Sequence, residues 1–153
     1  MIIVFCGNHD FAATSTIESR LLSILNSYAE TMDTLWCYCG GYGNFDSFAA
    51  RCANKIKANF DNVKCCLITA YMLPVEKHKT EYLNSVYDEI IYPPLENVPP
   101  RFAILKRNEW MADQADIIIS YVKYTFGGAA KMLRYAERKN KKILALNEVA
   151  PQT

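Results

Sequence analysis

The sequence predicts an α/β protein of Rossmann type: a three-layer sandwich whose mostly parallel sheet carries helices on both faces. Short apolar runs rich in β-branched residues alternate with longer segments of helical period, which is typical of this class. The glycines fall directly after the apolar runs. The 153 residues are 51% hydrophobic, enough for one core, so we expect residues 1–153 to form a single domain.

The first half of the chain indicates two β–α units and a third strand. The apolar runs are continuous, as in strands that are buried on both faces. Ser15 and Glu18 have the spacing of a capping box, which predicts that the first helix begins there. The expected strands cover residues 2–6, 34–39 and 64–70, and the expected helices cover 16–28 and 45–59.

The second half begins with a proline-rich stretch. Residues 71–100 hold five of the six prolines, so we expect mostly loop there, with a short strand at 89–92. The regular alternation then returns. Its expected elements are a helix at 101–114, a strand at 115–122, a helix at 128–139 and a last strand at 142–146.

The charge balance argues against partners that are held by bulk charge. Seventeen basic and sixteen acidic residues leave a net charge of +1, so we expect neither nucleic acid nor a membrane as a partner. The first residues lack a basic leader, and no apolar stretch approaches the length of a membrane span. We therefore expect a cytoplasmic protein.

The six cysteines indicate buried thiols and not a disulfide scaffold. Most of them lie inside apolar runs of a chain that is long enough to fold without staples. One residue separates Cys37 from Cys39, which is not the spacing of a zinc site. We expect no metal and no resident cofactor.

All six glycines lie after expected strands. In a parallel sheet these positions share one edge, where open α/β folds bind ligands. Glycine allows close approach of the backbone, and the helix that follows attracts an anion. The pattern predicts a phosphate-binding crevice, although tight turns alone would also explain each glycine taken singly. The three groups are Gly7, then Gly40, Gly41 and Gly43, then Gly127 and Gly128.

Four motifs follow one another along the chain. They are Cys6-Gly7-Asn8-His9-Asp10-Phe11, Gly40-Gly41-Tyr42-Gly43-Asn44-Phe45-Asp46, Arg107-Asn108-Glu109-Trp110-Met111 with Asp113 and Asp116, and Gly127-Gly128 with Ala136 and the strand at Lys142. Their order resembles the SLOG superfamily, in particular its YpsA-like branch, and more distantly the LOG phosphoribohydrolases and DprA. The resemblance implies a domain that binds nucleotide or nucleotide-derived ligands, as a sensor or regulator, with Arg107 and the two glycine loops around phosphate and ribose.

The resemblance to the hydrolase branch is incomplete. That branch reads Pro-Gly-Gly-x-Gly-Thr-x-x-Glu in its second loop, and its Glu acts with an upstream Arg on the N-glycosidic bond. Arg107 fits that Arg, but Arg134 stands where the Glu is expected. Hydrolysis of nucleoside monophosphates stays open as an alternative, with Asp46, Asp10 or Glu109 as the carboxylate. A ligand-free scaffold is the third alternative.

The sequence assigns no catalytic residue, and its ligand-binding candidates keep two interpretations each. Arg107 suits a phosphate, or it forms a surface ion pair with Glu109 or Asp113. Asp46 accepts from ribose hydroxyls, or it caps the second helix. The candidates are Gly7, Asn8, His9, Gly40, Gly41, Gly43, Asp46, Arg107, Asn108, Phe126, Gly127, Gly128 and Ala129.

Aromatic residues near the strand ends have two interpretations as well. They stack on a base, or they lie at the core boundary or in a subunit interface. Related folds often form dimers, so we expect a homo-oligomer. The aromatic residues are Tyr42, Tyr71, Tyr121, Tyr124 and Phe126.

Overall fold

The computed structural model describes residues 1–72 and 77–148, without the side chains of residues 77–79. Within these ranges, six strands form one sheet in the order β4-β3-β2-β1-β5-β6, and every neighbouring pair is parallel. The strands are β1 Ile2–Gly7, β2 Leu35–Cys39, β3 Val63–Ile68, β4 Glu89–Ile91, β5 Ile117–Tyr121 and β6 Ile143–Ala145.

Helices cover both faces of the sheet. Side chains of α1, α2 and α3 pack on one face, and those of α4 and α5 pack on the other. This three-layer arrangement confirms the predicted Rossmann-like class. The helices are α1 Ser15–Thr31, α2 Gly43–Lys57, α3 Lys77–Val86, α4 Ala103–Gln114 and α5 Gly128–Arg138, with a short 3-10 turn at Pro100–Phe102 before α4.

The central strand β1 shows why this sequence needs both layers. Ile3 and Phe5 enter the core under α1 and α2, while Val4 and Cys6 enter the core under α4 and α5. A strand with apolar side chains on both faces is stable only when both faces are covered. At β1 the strand order reverses direction, and this switch point is where open α/β sheets leave a crevice.

The first helix begins differently from the prediction. The expected capping box of Ser15 and Glu18 is wrong, because Thr14 is the N-cap and its Oγ1 accepts from the Ile17 N–H at 3.2 Å. Glu18 instead pairs with Lys55 of α2. Adjacent Thr and Ser are both good caps, so local preference did not distinguish them.

The expected loop at 71–100 contains a ten-residue helix, α3. The prolines misled the prediction because none of them falls within Lys77–Val86. Leu83 and Val86 pack against the core, and the Asn54 amide of α2 donates to the Val86 carbonyl at 3.0 Å. Tertiary contacts therefore stabilise a helix that its weak local propensity did not predict.

The cysteine prediction agrees with the structure, since all six thiols are free and buried. In the described ranges, none of the helices combines the length and the apolar character that a membrane crossing requires.

Candidate functional site

A cleft of about 490 Å³ opens at the carboxyl edge of the sheet, above the end of β1. Five parts of the chain line it: the β1 end with its loop, the β2 end with the start of α2, one face of α4, the β5–α5 loop, and the start of α5. The volume lies within the range of small-molecule sites.

Most of the sequence candidates lie around this cleft. Gly41 and Gly43 do not line it. Gly43 has φ +86°, and a Cβ there would lie 2.5 Å from the His9 Cα, so contact with the first loop explains this glycine. The candidates that line the cleft are Gly7, Asn8, His9, Gly40, Asp46, Arg107, Asn108, Phe126, Gly127, Gly128 and Ala129.

The glycines of the cleft serve two different purposes. A Cβ on Gly7 would lie 2.2 Å from the Phe45 ring, and a Cβ on Gly40 would lie 3.0 Å from Arg107 Nη1. These two glycines make room for protein side chains. Around Gly127 and Gly128, in contrast, a Cβ would meet no atom of the described residues within 4 Å. Only the start of α5 therefore presents glycine to open space.

Arg107 is a buried arginine, with 3% of its surface exposed. Its Nη1 donates to the Gly40 carbonyl at 2.7 Å and to the Ile68 carbonyl at 2.8 Å, and its Nε donates to Asn108 Oδ1 at 2.9 Å. The guanidinium carbon lies 5.2 Å from the centre of the Tyr42 ring. The side chain thus ties α4 to the ends of β2 and β3.

The expected surface ion pair of Arg107 is wrong. Glu109 pairs with Lys106 at 3.0 Å, and Asp113 accepts from the Tyr135 hydroxyl at 2.8 Å. The spacing along the helix made these acidic residues plausible partners, but Arg107 points towards the sheet and they do not contact it.

Asp46 supplies a carboxylate to the cleft. Its Oδ2 accepts from the Tyr42 N–H at 3.0 Å. The capping interpretation is wrong as stated, because Tyr42 is the N-cap of α2 and Asp46 lies in the first turn, from where its carboxylate bonds back to the N-cap backbone. Burial raises the pKa of the carboxyl to about 6, although N–H groups of Tyr42 and Gly40 and the charge of Arg107 oppose this rise. Burial also lowers the pKa of Arg107.

Several hydrogen-bond donors in the cleft have no acceptor among the described residues. Asn8 is 6% exposed, and its Oδ1 accepts from the Lys123 N–H at 2.7 Å, which leaves its Nδ2 as a donor. Arg107 Nη2 and Asn108 Nδ2 likewise have no acceptor among the described residues. No side chain caps the start of α5 at Gly127. The cleft therefore favours an acceptor-rich ligand.

The β5–α5 loop forms one rim of the cleft. The Tyr124 hydroxyl donates to Asp10 Oδ2 at 2.6 Å, and the rings of Tyr124 and Phe126 stack with centroids 5.2 Å apart. The hydrogen bond from Tyr124 lowers the pKa of Asp10. Arg134 stands at the position where the hydrolase motif has its glutamate. It donates to the Thr125 carbonyl at 3.0 Å and so connects α5 to the rim.

Sequence reasoning missed the apolar part of the lining. On α4, Ile104 and Met111 lie three positions before and four positions after Arg107, so helical spacing would have found them. The Cys6 thiol donates to the Ala129 carbonyl, and burial raises its pKa to about 12, so the thiol is neutral. The missed residues are Phe5, Cys6, Ile104, Met111 and Met132.

Solved structures with this fold include two DNA processing proteins. DprA from Helicobacter pylori, described in a single-stranded DNA binding mode, has a TM-score of 0.67 and 14% identity, over 100% of this chain and 68% of its own. DprA from Streptococcus pneumoniae has a TM-score of 0.63 and 14% identity, over 94% of this chain and 49% of its own. The chain thus spans about half of the Streptococcus pneumoniae protein.

A molybdenum cofactor binding protein from Rippkaea orientalis has a TM-score of 0.57 and 17% identity, over 94% of this chain and 74% of its own. No protein-family model and no curated protein matches the chain. The likenesses show that the chain has a DprA-like, Rossmann-like fold.

The exclusion of nucleic acid as a partner was wrong. It rested on a net charge of +1, yet the Helicobacter pylori protein with this fold binds single-stranded DNA. Net charge averages over the whole surface, whereas single strands bind local grooves through arginine and aromatic rings. A balanced composition therefore does not exclude such a partner.

Arg107→Ala is expected to lower the free energy of unfolding by about 2–4 kcal/mol, because two strand-end carbonyls lose a buried donor. Urea denaturation measures this loss. Arg101→Ala removes an exposed arginine just before the same helix and is expected to change stability by less than about 0.5 kcal/mol. Equal effects of the two variants would contradict the structural role of Arg107.

Asp46→Asn is expected to change how stability depends on pH. The raised pKa means that the folded state holds a proton between about pH 4 and 6 that the unfolded state releases, so wild type loses stability as pH rises through this window. The asparagine variant lacks this loss. Its advantage over wild type should grow by on the order of 2 kcal/mol from pH 4 to 7, since one pKa unit corresponds to about 1.4 kcal/mol.

Urea denaturation at each pH tests this expectation. Asp61→Asn removes a carboxylate from an exposed position and serves as the matched control. The quantity to compare is the difference in free energy of unfolding between each variant and wild type. If this difference varies with pH no more for Asp46→Asn than for Asp61→Asn, the Asp46 carboxyl titrates alike in the folded and unfolded states.

Proposed function

We propose that the cleft binds a nucleotide or a nucleotide-derived ligand, with the phosphate at the start of α5. The observation that carries the proposal is the set of donors without described acceptors: Asn8 Nδ2, Arg107 Nη2, Asn108 Nδ2 and the uncapped helix end at Gly127. The residues that carry these donors line the cleft together with apolar side chains and the carboxylates of Asp10 and Asp46.

A phosphate satisfies such donors better than a neutral group. Unpaired N–H groups and the helix dipole attract an anion to the first turn of a helix. Arg107 adds a full positive charge, and its Nη2 is unused by the strand-end carbonyls. Phosphate oxygens accept several hydrogen bonds at once, so they match a site that offers donors from different parts of the chain.

The four sequence motifs support the same proposal. Each of them contributes residues to the cleft, although they lie far apart along the chain. We propose that the chain is a member of the SLOG superfamily, in its YpsA-like branch, with a sensor or regulator role. The nucleotide is either free or part of a single strand, as in the DNA that the Helicobacter pylori protein binds.

Gly128→Asp is expected to abolish nucleotide binding without harming the fold. The new side chain enters open space, and a carboxylate in the first turn of a helix is favourable for the helix. The same carboxylate repels phosphate. We expect AMP to raise the melting temperature of wild type and to leave that of Gly128→Asp unchanged, with affinity reduced at least tenfold.

Ser23→Asp, at an exposed position of α1, adds the same charge outside the cleft and should keep the response to AMP. A short oligothymidylate, tested in parallel with AMP, separates a single strand from a free nucleotide. If neither AMP nor oligothymidylate stabilises wild type, the proposal fails and the scaffold alternative gains support.

Hydrolysis of the N-glycosidic bond is a second candidate function. Asp46 and Asp10 line the cleft, whereas Glu109 does not and is paired with Lys106. The pKa of about 6 suits Asp46 to donate a proton to the leaving base near neutral pH. In this reaction the bond from ribose to base breaks and the leaving base takes a proton from Asp46. Water then adds its hydroxyl to the ribose carbon, and the proton that water loses restores the Asp46 carboxyl.

Release of adenine from AMP, followed by chromatography, tests the second candidate. Asp46→Asn should reduce the rate about 100-fold or more, because the amide cannot supply the proton. Wild-type protein that releases no adenine would leave the cleft as a binding site only. Release that survives in Asp46→Asn would place the acid elsewhere.

A further inference from the structure

Phe126 stands out among the aromatic residues of the cleft because 70% of the residue's surface is exposed. It lines the cleft and directly precedes Gly127, where α5 has its uncapped start. A phenyl ring this exposed contributes little to the core. Covering it with another planar group would remove apolar surface from water.

The ring is nevertheless held in place from several directions. It stacks on Tyr124 with an interplanar angle of 25°, and the Tyr124 hydroxyl is fixed by Asp10 of the first loop. Thr125 lies between these two residues in the sequence, and its carbonyl accepts from Arg134 of α5. An ordered platform loses less conformational freedom when a ligand binds, so these contacts favour binding.

The other aromatic residues offer less to a ligand. The Tyr42 ring already lies beneath the Arg107 guanidinium. Tyr38 and Trp110 stack on each other in the core under α4 and α5, and neither lines the cleft. Phe126 stacks on Tyr124, and no other ring or cation in residues 1–72 and 80–148 contacts its ring.

We infer that Phe126, backed by Tyr124, is the base subsite of the cleft: a platform on which a planar nucleobase stacks while the phosphate binds at the start of α5. This inference rests on the proposed function, because the phosphate position sets where the base lies. Stacking on an aromatic side chain does not depend on the identity of the base. The platform therefore selects for a base, and the same chemistry serves a free nucleotide or one nucleotide of a single strand.

Two ligands that differ only in the base test the inference. AMP carries adenine, and ribose 5-phosphate has the same sugar phosphate without it. By titration calorimetry, wild type should bind AMP about tenfold or more tightly than ribose 5-phosphate. Phe126→Leu should lose about tenfold in affinity for AMP and keep its affinity for ribose 5-phosphate, since leucine retains the apolar bulk but lacks the ring face.

Two further variants sharpen the test. Tyr124→Phe keeps both rings and removes only the hydroxyl that donates to Asp10. Because the platform is then less ordered, the affinity for AMP should fall about twofold to fivefold. Phe102→Leu replaces an exposed phenylalanine outside the cleft lining and should leave both affinities unchanged. Oligothymidylate should follow AMP in its response to Phe126→Leu if the nucleotide comes from a strand.

The outcomes separate the inference from the proposed function. Equal affinities of wild type for AMP and ribose 5-phosphate, or equal losses of both in Phe126→Leu, would overturn the base subsite and leave phosphate binding intact. Binding of neither ligand to wild type would overturn both. Thermal melting of Phe126→Leu is expected to match wild type, because the ring is exposed.

Discussion

The arrangement of the cleft depends on one buried guanidinium. Two strands end side by side with carbonyls at Gly40 and Ile68, and Arg107 reaches both from α4 on the neighbouring layer. A buried carbonyl without a donor costs stability, so the strand ends and the helix are fixed relative to each other. The same charge then attracts Asp46 and leaves Nη2 for a ligand. Because Arg107 holds the strand ends together, its mutation is a poor test of the proposed binding alone.

The sequence allowed the architecture to be predicted more fully than the site. Continuous apolar runs specify strands that are buried on both faces, and β1 and β5 carry this signal strongly. The helix α3 was missed because its support comes from contacts with α2, which no local pattern reveals. The N-cap was predicted at Ser15 instead of Thr14, because two adjacent hydroxyl residues have similar local preferences for this position.

At the site, residue type predicted location but not role. Glycines after strands did lead to the cleft, yet Gly7 and Gly40 accommodate Phe45 and Arg107, and only the pair at α5 faces open space. Arg107 was predicted to contact a phosphate or an acidic neighbour on its own helix, and neither prediction included the strand-end carbonyls. Those carbonyls belong to Gly40 and Ile68, which precede Arg107 by 67 and 39 positions along the chain. Contacts of this kind become visible only when the fold brings distant segments together.

The two outermost strands of the sheet, β4 and β6, are only three residues long. Such short edges expose few unpaired backbone groups, so they offer a poor template for another chain to add a strand. Continuation of the sheet from one copy to the next, the route to fibrils and many aggregates, is consequently disfavoured. Helical faces and loops are therefore better suited than the two sheet edges to join copies of this chain.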